Sequence, residues 1–315
     1  MGTNPAPTRA PQTRSMPAKA IPPARDRLQS RLLVWIAIPV LCYLSYRATR
    51  LAAAAGHKGH VFFAMALAFS IFFALAVWRV KAATPLAAFC GGLICLSITV
   101  LSSRLEGPSL FHSGLSPLIL LFVLTFQATR LGKERKAASS LAEDRKGRNA
   151  AQVVANLGVA AYASYYLYHF FDHPHHGFQW PYIVAAFEVP MLAALAEATA
   201  DTVSSEIGQA FGGIPFMLTT LRRVPTGTDG AVSLNGTIAG IASAALIAAT
   251  GAPALGMELH DCMIVFFAAV AGLFFDSLLG ATLERRGWIG NDFVNLASTL
   301  FAATLALALN PIAFA

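Results

Sequence analysis

The sequence predicts an all-α protein, a polytopic transmembrane helical bundle of about nine spans, and three observations predict it. Of 315 residues, 56% are hydrophobic and only 12% charged, about half the charged share of a soluble domain. The apolar residues fall in runs of about 17–23, enough to cross a hydrocarbon core ~30 Å thick. Lipid offers no partner to backbone N–H and C=O groups, so such runs cross as helices. Basic residues, finally, gather in every second connecting segment, as the positive-inside rule requires of an alternating chain.

The elements follow in order. Residues 1–29 are rich in Pro, Ala, Thr and Arg, carry no apolar run and read as a disordered basic tail. No cleavable signal is expected, because this basic region is too long and no clear cleavage site follows. Met1-Gly2 is not read as a myristoylation site, because Ala6 stands where Ser or Thr is needed. Residues 30–83 hold two N-terminal spans, at 32–46 and 61–78. Residues 84–315 hold the others, at 84–102, 115–129, 150–170, 180–200, 231–251, 262–283 and 292–310.

The tail bears Arg9, Arg14, Lys19, Arg25, Arg27 and Arg31, which holds the N-terminus in the cytoplasm. Alternation then puts Arg79 and Lys81 inside, followed by Lys133, Arg135, Lys136, Arg145, Lys146 and Arg148, then Arg222 and Arg223, then Arg285 and Arg286. The outer segments are poorer in charge, although Arg47, Arg50 and Lys58 fall in the first. The expected location is an integral membrane one, the bacterial inner membrane, with the N-terminus and the chemical face cytoplasmic.

Composition also excludes. The net charge of +7 sits in the tail and loops, where topology accounts for it, so nucleic acid is not an expected partner. Cys42, Cys90, Cys95 and Cys262 all lie in apolar runs at spacings that fit no zinc or haem site. The oligomeric state is not legible.

Polar residues inside spans sort onto one side. Glu197, Asp201 and Ser205 are spaced i, i+4, i+8 and share a helix face. Asn149, Gln152 and Asn156 make a second stripe, Asp276, Gly280 and Glu284 a third, and Asn291, Asn295 and Ser298 a fourth. An ionisable residue in a span costs at least ~2.5 kcal/mol, so its default reading is functional. Snorkelling and helix–helix hydrogen bonds are the competing explanation for any one of them; four stripes meeting one membrane face favour a site.

Between the sixth and seventh spans lies a loop that includes Arg222, Arg223, Thr226, Gly227, Thr228, Asp229 and Gly230. Arginines suit phosphate, glycines admit close backbone approach and threonines add hydroxyl donors. No GxxxxGK[ST] occurs in the chain. Beside Asp201, Glu206 and Asp276, which are expected to bind Mg²⁺, the loop reads as a phosphate site, since Mg²⁺ prefers one or two carboxylates plus phosphate oxygens. The run His169, Asp172, His173, His175 and His176 resembles a metal cluster, but topology puts it on the far side and it reads as a solvated loop.

Several segments resemble one known family. They are Gly132-Lys133-Glu134-Arg135-Lys136, the stretch from Arg148 to Asn156, Ala200 to Gly208 around Asp201 and Glu206, Thr226 to Thr237, Phe275 to Glu284 around Asp276 and Ser277, and Asn291 to Asn295. They are similar to motifs of the multispan membrane family that includes the chloroplast phytyl-phosphate kinase of vitamin E synthesis and uncharacterised bacterial and archaeal members. The resemblance covers roughly residues 84–310. It departs at Val203-Ser204, where the family shows Trp-Ala, and at Gly230-Ala231, where it often shows Gly-Gly.

What the resemblance implies is transfer of a terminal phosphoryl group from a nucleoside triphosphate, CTP or ATP, to an isoprenoid monophosphate lipid such as phytyl or geranylgeranyl phosphate. Asp201, Glu206 and Asp276 would be the catalytic, Mg²⁺-binding acids. Arg222, Arg223, Lys133, Arg135 and Arg148 would bind phosphate. Asn149, Gln152, Asn156, Ser205, Ser277, Glu284, Asn291 and Asn295 would orient substrate. Two rival readings stay open: a transporter or flippase of an anionic lipid or phosphate, and a CTP-dependent lipid cytidylyltransferase.

Overall fold

The computed structural model describes residues 21–103, 109–138, 147–171 and 180–310, with the side chains of all but residues 137, 138, 166–171 and 180–187 among them. The elements are α1 (Pro23–Ala54), α2 (Gly56–Arg79), α3 (Pro85–Leu101), α4 (Leu115–Arg130), the short α5 (Lys133–Ala138), α6 (Ala150–Phe171) and α7 (Trp180–Phe211). Then come the strand pair β1 (Phe216–Met217) and β2 (Ala231–Val232), α8 (Leu234–Leu255), α9 (Leu259–Leu279), a π-helical turn at Gly280–Glu284, and α10 (Asn291–Leu309). Each predicted apolar run falls largely within a helix. The His-rich run lies outside the described residues, apart from the helical backbone at His169.

By length and composition, α1, α2, α8, α9 through its π turn, and α10 can each cross a bilayer. The apolar α3 and α4 are shorter, at 17 and 16 residues.

Local chemistry explains the boundaries, including those that differ from expectation. Pro23 and Pro85 begin helices at positions where a missing N–H costs nothing. Residues 23–29, expected in the tail, therefore belong to α1, and they are docked: Arg25 donates to the Gly287 carbonyl at 2.9 Å and Gln29 to that of Trp288 at 3.0 Å. Ser30 completes the contact by donating to Asp292 at 2.6 Å. Helix α8 starts three residues later than expected, because Ala231 and Val232 pair antiparallel with Met217 and Phe216 and Ser233 then caps it by accepting from the Gly236 N–H. Asn149 and Gln152 exchange bonds at 2.8 and 3.0 Å in a capping box ahead of α6.

Helix α7 is the axis of the bundle and packs against α4, α6, α8, α9 and α10. Residues 188–200 are buried without exception. Alanine-rich sequence makes this possible, since small side chains let helices approach closely. The partner face on α8 is small too: a Cβ on Gly240 would meet the Ala200 carbonyl oxygen at 2.8 Å, and one on Gly236 that of Ser204 at 2.5 Å. That tight crossing fixes the lower half of α7, where Asp201 and Glu206 stand.

Candidate functional site

The N-terminal ends of α1, α3, α6, α8 and α10 meet the C-terminal ends of α2, α4, α7 and α9 at one end of the molecule. The contacts of α1 with residues 287–292 tie part of this end together. A short parallel bridge between Ala83 and Arg148 ties another part, with Thr84 N–H donating to the Arg148 carbonyl at 2.9 Å and Arg148 N–H to that of Ala82 at 3.0 Å. Gly147 permits this approach: it sits at φ +74°, and a Cβ there would meet the Lys81 carbonyl oxygen at 2.5 Å.

A cleft of about 290 Å³ opens at this end. The helical stripes arrive in it as helical spacing requires. Asp201 and Ser205 come from α7, Gln152 and Asn156 from α6, Asp276, Ser277, Gly280 and Glu284 from α9 and its π turn, and Asn291 and Asn295 from α10. Thr226, Gly227, Thr228, Asp229 and Gly230 close one side. Their half of the β1–β2 loop is drawn inward at Gly230, which has φ +71° and lies so tightly on Ala281 that a Cβ would overlap its backbone. The π turn is where α9 meets this loop; such turns recur at functional sites because they redirect side chains.

The electrostatics are lopsided. Asp201, Glu206, Asp229, Asp276 and Glu284 line the cleft, and Arg148 is the one Lys or Arg among the described lining residues. Asp276 lies within electrostatic range of Asp201, Glu197 and Glu284, and the Arg148 guanidinium acts on Asp201. Ser298, on α10, donates to Asp276 at 3.2 Å. Glu197, the innermost acid of its stripe, is fully buried beside Gly272, where a Cβ would meet its Cγ at 2.5 Å. It lies outside the cleft lining.

The structure places several of the expected residues in other surroundings. Glu206 reaches the cleft, but its carboxylate is engaged: Lys136 Nζ lies 2.5 Å from it, and Thr129 donates to it at 3.1 Å. It forms an ion pair with Lys136, which is 2% exposed. Arg222 and Arg223 lie outside the cleft, in the outward half of the loop, where Arg223 stacks over Phe216 at 5.9 Å and the Arg222 carbonyl accepts from Met217 N–H. Arg135 lies over the Phe211 ring at 5.0 Å. Asn149 lies outside the cleft lining, its Oδ1 accepting from the Gln152 N–H, and Lys133 lines a different, more apolar cavity.

Sequence reasoning missed Lys136, whose partner is seventy positions away and leaves no local pattern. It also missed Ser204, Gly208 and Gln209 in the cleft lining. These carried a signal, because i+3, i+7 and i+8 from Asp201 continue its helix face.

The donor set suits a hard cation: Asp201 and Asp276 with amide and hydroxyl oxygens around them. Among the described residues, no three His, Cys, Asp or Glu side chains are gathered to cage an ion unaided. Mg²⁺ fits such a site when phosphate oxygens complete its shell.

Fold and cleft together define a polytopic helical membrane protein with a polar site at one end. The chain belongs to the integral membrane protein family DUF92, whose model matches residues 68–303. It is 30% identical over 198 residues to an uncharacterised membrane protein of Synechocystis sp., covering 62% of this chain and 72% of that one. An uncharacterised membrane protein of Methanocaldococcus jannaschii is 34% identical over 202 residues, covering 63% and 78%. The chloroplastic protein VTE6 of Arabidopsis thaliana is 27% identical over 234 residues, covering 67% and 68%. No solved structure matches the chain. The matched region begins within α2, before residue 84, and contains every residue of the cleft.

Proposed function

We propose that the protein transfers the terminal phosphoryl group of CTP or ATP to an isoprenoid monophosphate such as phytyl or geranylgeranyl phosphate, giving the diphosphate. The bond from the terminal phosphorus to its bridging oxygen breaks, an oxygen of the acceptor phosphate bonds to that phosphorus, and the nucleoside diphosphate leaves. The observation that carries this reading is the acid-rich cleft beside a glycine- and threonine-bearing loop. A nucleotide polyanion would be repelled by four carboxylates outside the Glu206 pair unless cations accompanied it, which is the chemistry of metal-assisted phosphoryl transfer.

Asp201 and Asp276 would hold Mg²⁺, which when bound neutralises charge on the phosphoryl oxygens. Arg148 would meet a phosphate of nucleotide or acceptor. Gln152, Asn156 and Asn295 would orient the phosphates by hydrogen bonds, and the backbone of residues 226–230 would lie along the nucleotide phosphates. The chemistry asks the protein for positioning and charge compensation, with little covalent work. In this reading nine helices span the bilayer, α3 and α4 included, and the cleft faces the cytoplasm of a bacterial inner membrane.

The test is a transfer assay on detergent-purified protein with Mg²⁺, radiolabelled CTP or ATP, and geranylgeranyl monophosphate. Label is expected in the diphosphate, with Asp201→Asn and Asp276→Asn each lowering the rate about 100-fold or more. Release of pyrophosphate with a cytidylylated lipid would replace the kinase by a cytidylyltransferase. Protein shown to be folded that transfers nothing would sink the enzymatic reading and leave transport of an anionic lipid.

A further inference from the structure

Arg148 lines two cavities. Beyond the acidic cleft, a second space of about 570 Å³ lies between α2, α3, α4 and α6, within the range typical of small-molecule sites. Its body is apolar: Phe73 and Val77 from α2, Leu121 and Phe122 from α4, and Leu157 from α6. The Phe73 and Phe122 rings meet edge to face at 4.9 Å and brace one wall. On α4 the lining runs from Leu118 to Arg130, about 18 Å along a helix axis.

The mouth is the opposite of the body. Lys81, Arg130, Lys133, Lys136 and Arg148 all border it, and no Asp or Glu is among the described lining residues. Lys136 is compensated by Glu206 and the Arg148 guanidinium acts on Asp201, which leaves Lys81, Arg130 and Lys133 with no acid beside them among the described lining residues. Their placement is built into the backbone. Lys81 is held at φ +56°, a conformation costly for a side chain with a Cβ, by the bridge that joins residues 82–84 to Arg148. Arg130 is fixed across the Phe126 ring at 4.1 Å.

We infer that this cavity is the acceptor site: it takes the hydrocarbon chain of a lipid monophosphate, with the anionic head held at the cationic mouth beside Arg148. The inference rests on the kinase reading and deepens it, by seating acceptor and nucleotide on opposite sides of one guanidinium. An apolar slot whose polar end is bordered by Lys81, Arg130 and Lys133, with no Asp or Glu among the described lining residues, matches an amphiphile with one anionic head. A free phosphate would leave the slot unused, and an uncharged lipid would make no use of Lys81, Arg130 and Lys133.

The test is equilibrium binding of radiolabelled geranylgeranyl monophosphate to the full chain in detergent without nucleotide. Gly91 lines the cavity, and a Cβ there meets nothing closer than Val153 at 4.0 Å, so the side chain of Gly91→Leu has room to start into the slot. That variant is expected to bind the lipid about tenfold more weakly, with radiolabelled CTP binding unchanged as the check on folding. Lys133→Gln should weaken lipid binding severalfold. Millimolar inorganic phosphate should not displace the lipid. Wild-type affinity in Gly91→Leu overturns the inference, as does full displacement by inorganic phosphate, which would mark a free-phosphate site. If the lipid binds as expected but the wild type transfers no label, the acceptor site stands and the kinase reading fails. If transfer proceeds with the lipid KM unchanged in Gly91→Leu, the kinase stands and this site is wrong.

Discussion

The two cavities on either side of Arg148 divide the charges that the sequence mixes together. One is floored by Asp201 and Asp276 and walled by amides and hydroxyls, and the other is apolar with a cationic rim. The fold sends most of the bases and most of the acids at this end to different rooms, with Arg148 common to both. Had Lys81, Arg130 and Lys133 lined the acidic cleft, they would have paired with its carboxylates and left neither free for a ligand. Separation preserves both potentials: the acids attract cations, and the bases attract anions. Lys136 and Glu206 show what mixing does, since each neutralises the other.

Three perturbations test that division, beginning with the residue common to both sides. Arg148→Gln keeps the backbone bridge to residues 82–84 and removes the shared guanidinium. A bidentate contact to phosphate is among the stronger hydrogen-bonded interactions, so kcat/KM should fall about 100-fold, with KM rising for lipid and nucleotide alike. A rise confined to one substrate would mean that Arg148 serves a single cavity. The next effect is structural. Lys136 is only 2% exposed, and Glu206→Gln strands its charge, at a cost of about 3–5 kcal/mol. Thermal unfolding in detergent should occur well below the wild-type midpoint. Adding Lys136→Met should restore most of the loss, because a buried pair replaced by apolar groups is often neutral. A single variant as stable as the wild type would show that the pair does not hold α5 to α7.

Helical periodicity explains why much of the cleft could be read in advance. In a helix, spacing is direction, so Asp201–Ser205, Gln152–Asn156, Asp276–Gly280–Glu284 and Asn291–Asn295 each specify a face without knowledge of the partners. Where the faces meet depends on crossing geometry, and that lies in glycines such as Gly236, Gly240 and Gly272, whose role shows only once the neighbouring helix is in place. The Lys136–Glu206 pair was illegible for the same reason: it joins α5 to α7 across seventy positions. The start of α1 was misjudged because Arg25 and Gln29 look like tail residues until the α9–α10 connection supplies their acceptors. The second cavity left no motif, being a space between four helices whose linings are ordinary apolar residues.

The loop between β1 and β2 is the instructive failure, and it yields the smallest predicted effect. Its composition of Arg, Pro, Thr and Gly suits a phosphate cradle throughout, but a strand pair has two sides and sequence does not say which half of a long turn points inward. Gly230 decides it. Its contact with Ala281 and Gly280 draws residues 226–230 onto α9, while Leu221, Arg222 and Arg223 are turned out, with Leu221 at φ +54°. Arg222→Ala and Arg223→Ala should therefore leave kcat/KM within about twofold and stability within ~0.5 kcal/mol, as exposed substitutions away from special features do. Gly230→Val, eight residues or fewer along the same loop, should disable transfer, because its side chain would push the cradle off the π turn. If the arginine variants instead lose activity as severely as Gly230→Val, the loop must refold around the nucleotide, and its outward half is a part of the site that closes only when the ligand is bound.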